Sequence, residues 1–371
     1  MPASRTTPVL VQQQRTLEQV CKDLARHSEL AMDTEFVRTD TYFPKLGLIQ
    51  LSTGELTVCV DPRSGLDLNP LWQVLFNPSR LMILHAAKQD LEVLMLAADS
   101  IPCSLIDTQI EAGLLGYPAQ IGYATLAKNL LDVEISKSQT RTDWSKRPLS
   151  EAQLHYAVED VRHLSAMHQR LRRQLLELGR HEWACEDSTA LIDPSQYLQD
   201  PAQAWQRIRR IQYLPPAEQH RARRLAAWRE REAMRLDRPR QWLLSDRVLM
   251  TIAATGPSDR DQLARCAEIP ASVVRKRGGI LLEQVALADR EFGDGKLQIK
   301  QKQRPPHKEP ALVGKLLGIV RAHSERLNIA AEILASRREI SAIARGKLEG
   351  QALSGWRLKV FGQELLAAAQ S

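Results

Sequence analysis

Two acids alternate inside an apolar run. Leu30 to Val37, Leu-Ala-Met-Asp-Thr-Glu-Phe-Val, has the length and apolar content of a β-strand. Side chains two apart along a strand share a face, so Asp33 and Glu35 stand side by side, with Met32, Thr34 and Phe36 on the opposite face. Adjacent carboxylates repel, and burying either is costly unless something neutralises it. A hard divalent cation such as Mg²⁺ is a natural partner for carboxylate oxygens. Taken alone, the pair is better read as a solvated strand end with two surface acids.

The chain has 371 residues, enough for two or three domains. No apolar run approaches the roughly 20 residues needed to span a membrane, and the N-terminus lacks the pattern of a signal peptide. The five cysteines, Cys21, Cys59, Cys103, Cys185 and Cys266, are scattered and form no C-x-x-C. They suggest neither zinc nor a disulfide framework, and a cytoplasmic protein is expected. The net charge of +7 hides an asymmetry. Residues 1–200 carry 19 Lys and Arg against 26 Asp and Glu, whereas residues 201–371 carry 32 against 18. An acidic front half with a candidate metal site is joined to a basic rear half suited to gripping a polyanion.

The first 200 residues read as α/β. Expected strands lie at Pro8 to Gln12, Leu30 to Arg38, Leu46 to Ser52, Leu56 to Val60, Leu81 to Leu84 and Ser104 to Asp107, with a hairpin at Thr53-Gly54. Thr16-Leu-Glu-Gln19 reads as a capping box opening a helix to Arg26, and Ser150-Glu-Ala-Gln153 as another, opening a long helix to about Leu178. The rear half is nearly all helical. Gly278-Gly279 is expected to interrupt it before Ile280. The domains are drawn at 1–200, 201–290, a linker at 291–310, and a second helical domain at 311–371.

Three further stretches bear on Asp33 and Glu35. His85-Ala-Ala-Lys-Gln-Asp90 follows a short strand and opens a helix, placing Asp90 in the first turn, where an acid is often only a dipole partner. Tyr156-Ala-Val-Glu-Asp160 puts Tyr156 and Asp160 four apart on one helical face. Lys137 to Trp144 with Arg147-Pro148-Leu149 forms a basic, Trp-containing loop just before that helix. Each is weak alone. Together, M-D-T-E-F, H-x-x-x-Q-D and Y-x-x-x-D, with Asp107-Thr108-Gln109, Ile121-Gly122-Tyr123-Ala124 and the Lys137–Ser150 stretch, resemble the DEDD family of 3′→5′ exonucleases, and within it the ribonuclease D family. The resemblance runs over essentially the whole chain. The tail resembles two HRDC modules, the first carried by Trp205, Trp228, Arg238-Pro239 and Ser245-Asp246.

The resemblance implies a ribonuclease-H-like α/β exonuclease domain with a mixed sheet and flanking helices, followed by two all-α HRDC-like domains. It implies that Asp33, Glu35, Asp90 and Asp160 hold two divalent ions, Mg²⁺ or Mn²⁺, with Glu35 and Tyr156 in catalytic roles and no organic cofactor. Tyr156 would orient the attacking water. His155, five before Asp160, leaves a His-type variant to be weighed; a rotation of about 140° takes it off the face of Asp160. Thr34, Phe36, His85, Gln89, Lys137 and Arg141 are candidates for contact with the substrate. The implied partner is RNA with a free 3′ end, such as a tRNA precursor, acted on by a monomer with no membrane association. The alternatives are a 3′→5′ DNA exonuclease and a nucleic-acid-binding protein with an inactive nuclease core. No Walker-type motif points to a helicase. In the tail, Arg207, Arg209, Arg210, Arg221, Arg223, Arg224, Arg229, Arg231, Arg275, Lys276 and Arg277 are expected to grip phosphates around a core containing Trp205 and Trp228. An exonuclease core ending near residue 200 is expected to cleave short strands by itself.

Overall fold

The computed structural model describes residues 9–136, 139, 142–293 and 309–370. Lys137 and Arg141 lie outside the described residues. The chain divides into two compact units. The first contains the described residues of 9–37, 45–197 and 309–370, and the second those of 38–44 and 198–293.

In the first unit, β1 (Val9–Val11) leads into α1 (Gln14–Leu24), then β2 (Glu29–Val37), β3 (Lys45–Ser52), β4 (Thr57–Val60), α2 (Asn69–Leu75), β5 (Leu81–Leu84), α3 (Lys88–Ala98), β6 (Leu105–Asp107), α4 (Thr108–Leu114) and α5 (Tyr123–Leu131). Next come α6 (Glu151–Arg162), α7 (Leu164–Glu177) and α8 (His181–Thr189). The described strands form one six-stranded mixed sheet in the order β1-β4-β3-β2-β5-β6. β3 pairs antiparallel with β2 and β4; the other pairs are parallel. The sheet is covered on both faces. Leu30, Met32, Ile49 and Leu51 pack with Leu17, Leu71, Leu91 and Leu94 of α1, α2 and α3. On the other face, Leu48 meets Ala157 and Val158 of α6, and Ala31 and Ile83 meet Leu164 and Met167 of α7.

Two helix boundaries differ from the sequence expectation. Thr16 does not cap α1, because the helix has already started at Gln14 behind Gln13. Ser150 does cap α6, with both halves of the capping box formed. The long helix expected from there to about Leu178 is two helices. The Tyr123 hydroxyl donates to Glu159 O (2.7 Å) and accepts from His163 N–H (3.3 Å). These are the two groups an uninterrupted helix would join, and a side chain inserted into that ladder bends it.

The rear half contains α9 (Pro216–Leu236), α10 (Arg240–Leu243), α11 (Asp246–Thr255), α12 (Arg260–Ala264) and α13 (Ala271–Gly293) in the second unit. Residues 204–211, within the rear half expected to be nearly all helical, form 3₁₀ turns and extended chain. Gly278-Gly279 does not interrupt α13. Gly278 is buried facing Leu263 of α12, where an added Cβ would make an ordinary contact at 3.5 Å. The cost of about 1 kcal/mol for a mid-helix glycine is offset by burial of Leu281 and Val285 against Leu225, Leu249 and Ile252. Trp228 is buried in this core and Trp205 packs on it.

Residues 309–370, of which 311 onward was drawn above as a separate domain, belong with the first unit instead. They form α14 (Glu309–Leu327), α15 (Ala331–Leu334), α16 (Arg337–Ile343), α17 (Gly355–Arg357), a π-helical turn at Leu358–Gly362, and α18 (Gln363–Gln370). Leu316, Val320, Ile329, Trp356 and Phe361 share one hydrophobic core with Ala112, Leu114, Leu171 and Ala184 of α4, α7 and α8. Arg357 and Asp187 form a buried two-point ion pair (2.6 and 2.8 Å). Trp356 stacks on Trp183 with centroids 4.4 Å apart and donates through Nε1 to Asp187. A helical module with one apolar stripe must bury it somewhere, and periodicity does not say against what.

Candidate active site

β2 carries Asp33 and Glu35 on the face turned to α6, which carries Tyr156 and Asp160. Asp33, Glu35 and Asp160 each offer a carboxylate oxygen, and these atoms all lie within 4.8 Å of one another. Asp90 adjoins them from the first turn of α3; its charge acts on both Asp33 and Glu35. The four acids named from the sequence are thus brought together from three elements.

Asp90 is held by Thr34. Its Oδ1 accepts from the Thr34 backbone N–H (3.0 Å) and hydroxyl (2.6 Å). Thr34 points to the face opposite Asp33, as alternation requires, and is buried. The turn before α3 is held by Asp107. One carboxylate oxygen accepts from Ala86 N–H (2.9 Å) and Gln109 N–H (2.8 Å), and the other from Ala87 N–H (2.9 Å). Ala86 has φ of 57°, a left-handed conformation that costs a non-glycine residue about 1–3 kcal/mol. The three charge-assisted bonds to Asp107 offset that strain.

The acids destabilise one another's charged forms. Burial, followed by the charges of Asp90, Glu35 and Asp160, holds the Asp33 pKa well above the usual carboxylate range. Burial and the charges of Asp160 and Asp90 push Glu35 up to about 9. Burial raises Asp90 to about 7 despite its bonds from Thr34, and Asp160 to about 6 despite a hydrogen bond from Tyr156. An all-oxygen, strongly negative donor set of this kind fits a hard divalent cation.

Tyr156 is half-buried with its hydroxyl on Asp160, whereas His155 is exposed. This is the arrangement expected of the Tyr variant. Trp144, nearly fully buried, packs beside Tyr156 with ring centroids 6.1 Å apart. Its position depends on Gly47. The β2–β3 pairing slips between Glu35 and Phe36, passing over Gly47. A Cβ there would lie 2.9 Å from Trp144 Cβ and 3.1 Å from Glu35 O. Arg147 clamps the same loop, donating to Gly47 O (2.7 Å), Trp144 O (2.9 Å) and both oxygens of buried Asp61.

The substrate candidates fare differently. Thr34 is committed to Asp90. Both ring nitrogens of His85 are engaged, with Thr108 Oγ1 and with Ile121 O, each at 2.9 Å. Both side chains thus make hydrogen bonds inside the protein that also hold the scaffold of the site. Gln89 is exposed and Phe36 half-buried beside the bulge. Gly47, Asp61, Asp107 and Tyr123 had no assigned role from the sequence. Asp107 and Tyr123 lay within motifs of the family resemblance, and Gly47 carried a local signal, since a glycine inside a strand marks a bulge or a close backbone approach.

The basic tail also changes. Arg229 is buried and pairs with Asp246 (2.8 Å) and Leu244 O (2.8 Å). Arg221 pairs with Asp289, Arg224 with Glu291 and Arg207 with Glu230, and Arg223 lies over the Trp205 ring. Each of these arginines, expected to grip phosphates, has a partner inside the second unit. Arg209, Arg210, Arg231, Arg275 and Lys276 are exposed.

A sheet bearing clustered acids, faced by a Tyr-x-x-x-Asp helix, defines a 3′→5′ exonuclease. The 3′–5′ exonuclease family model matches residues 8–176, and the HRDC domain model matches residues 218–285. The chain is 36% identical to ribonuclease D of Granulibacter bethesdensis, covering 97% of this chain and 92% of that one. It is 38% identical to ribonuclease D of Gluconacetobacter diazotrophicus over the same shares. The crystal structure of Escherichia coli RNase D, an exoribonuclease involved in structured RNA processing, superposes with a TM-score of 0.90 at 29% identity, covering 98% of this chain and 99% of that one. The chain belongs to the ribonuclease D family and is a 3′→5′ exoribonuclease. Among the described residues, no helix is long and apolar enough to cross a membrane.

Proposed function

We propose that Asp33, Glu35, Asp90 and Asp160 hold two divalent cations, Mg²⁺ or Mn²⁺, and that the enzyme removes nucleoside 5′-monophosphates from RNA with a free 3′ end. The observation that carries this reading is the convergence of three acids within 4.8 Å, with the Tyr156 hydroxyl bonded to one of them. The chemistry the cations supply when bound is charge neutralisation at the scissile phosphate and hydroxide at neutral pH. Thr34 and Asp107 keep Asp90 in place, and Tyr123 sets the turn of helix on which Asp160 stands. Tyr156, oriented by Asp160, directs the attacking water. The tRNA precursors implied by the family resemblance are the natural substrate class. The enzyme works as a monomer, and five free cysteines fit a reducing cytoplasm.

Full-length protein with Mg²⁺ or Mn²⁺ is expected to shorten a 3′-tailed RNA faster than a DNA of the same sequence and to leave a 3′-blocked strand intact. In single-turnover assays, Tyr156→Phe lowers the rate by about 10²–10⁴-fold, the range for an orienting or acid–base contact, while His155→Ala has little effect. Degradation of the blocked strand from its 5′ end refutes the polarity. Faster cleavage of DNA favours the DNA-exonuclease reading, and a reversed ranking of the two variants assigns the water to His155.

A further inference from the structure

Gln50 is a polar residue in an apolar strand core. It is fully buried in β3, and among the described residues neither its Nε2 nor its Oε1 has a hydrogen-bond partner. Leaving a buried polar group unbonded is costly, and the neighbouring positions are filled simply by Ile49 and Leu51. Gln50 stands directly opposite Asp33 in the β2–β3 register, with Leu48 opposite Glu35. Opposed residues of an antiparallel pair share a face, with Cβ atoms about 4.5–5.5 Å apart. Leu48 packs against Trp144, Ala157 and Val158, so this face lies beneath the helix that carries Tyr156 and Asp160. On the other side Gln50 is opposite Cys59, whose thiol is a poor hydrogen-bond partner. The one strong acceptor directly across from it is the Asp33 carboxylate.

We propose that Gln50 is a positioning residue for Asp33, its amide N–H donating to the Asp33 carboxylate when the acids hold their cations; this rests on the metal-binding reading of those acids. An ionised carboxylate only accepts, so the amide selects which Asp33 oxygen it binds and leaves the other for the shared site. A hydrogen bond to a ligand from outside the coordination sphere is typically worth about 10–100-fold in metal affinity or activity.

The test is a Mn²⁺ titration by calorimetry on full-length wild type, Gln50→Met, Gln50→Leu and Asp33→Asn, with thermal unfolding of each metal-free protein. Methionine keeps the length of glutamine without its polar atoms. The expected result is a metal-free midpoint for Gln50→Met at or above that of wild type, with Mn²⁺ binding weakened about 10–100-fold. A buried structural amide predicts the opposite pattern, a lowered midpoint with Mn²⁺ affinity retained. That result in both Gln50 variants, or failure of both to fold, overturns the inference. If Gln50→Met and Gln50→Leu bind Mn²⁺ like wild type while Asp33→Asn does not, only the role of Gln50 falls. If Asp33→Asn also binds like wild type, the metal reading of the acids falls with it.

Discussion

Asp33→Asn is expected to lower turnover by about a thousandfold or more while raising the unfolding temperature of the metal-free protein. The two effects share one cause. Asp33 sits among Glu35, Asp90 and Asp160, and its charge is opposed by burial and by all three. Asparagine keeps the shape and removes that repulsion, so the metal-free fold gains. The same change removes a ligand from the cation site, whose charge stabilisation is worth several kcal/mol in such reactions, and each 1.36 kcal/mol is about tenfold in rate. Cleavage of a labelled single strand and calorimetric unfolding check the pair. Wild-type turnover in the variant, or in excess EDTA, would remove the basis for the metal-dependent reading.

The direction of the pH dependence follows from the same groups. In the unfolded chain these carboxyls lose their protons near pH 4. In the folded protein Asp160 holds its proton to about 6, Asp90 to about 7 and Glu35 to about 9. Between those limits the folded state binds more protons than the unfolded, so stability falls as pH rises, by about 1.4 kcal/mol per pH unit for each proton of difference. Cation binding displaces those protons and reverses the penalty. The unfolding temperature of the metal-free enzyme should therefore fall between about pH 5 and about pH 9, and the increment on adding Mn²⁺ should grow over the same range. A metal-free midpoint that rises over that window would contradict the raised acid pKa values.

The second large effect is expected far from the acids. Arg357→Ala should destabilise the protein by about 3–5 kcal/mol, the usual cost of stripping one partner from a buried ion pair. Arg357 and Asp187 are 5% and 9% exposed. The guanidinium also donates twice to Ile333 O and stacks on Trp356. A positive φ at Gly355 admits the Glu186 carboxylate, where a Cβ would overlap it, to accept from Trp356 N–H. Beside Asp187, the Ser188 hydroxyl accepts from Asp107 N–H (3.1 Å), and Asp107 holds the turn that leads to Asp90. Loss of the C-terminal block thus uncovers the core of α4, α7 and α8 and frees an anchor of the candidate site. A chain ended near residue 200 is expected to aggregate or lose activity, contrary to the expectation that it would cleave short strands alone. Urea unfolding of Arg357→Ala and cleavage by the shortened chain measure both effects. An unchanged midpoint together with full activity of the shortened chain would show the block to be dispensable.

The candidate site was legible because its residues are ionisable and obey local periodicities. Alternation alone put Asp33 and Glu35 on one face. The i, i+4 spacing put Tyr156 with Asp160, and the start of a helix after a short strand put Asp90 in a first turn. The mixed α/β character of the front half, the hairpin at Thr53-Gly54 and the cap at Ser150 were likewise local. What each residue's partner would be was not local. Thr34 and His85 look like substrate contacts in a motif, and their partners inside the protein lie on chain segments 56 and 23 residues away. The arginines of α9 form a basic stripe on paper, yet Arg221, Arg224 and Arg229 meet acids from α11 and α13. The break between α6 and α7 depends on a tyrosine hydroxyl 40 residues earlier than His163, and the siting of the last helical block on a buried pair 170 residues apart. Local sequence determined which faces carry acids and which are apolar, because backbone geometry imposes that order. Only the tertiary structure decided which surfaces those faces bury, because hydrophobic contact is non-directional and its partners are chosen by the packing of the whole chain.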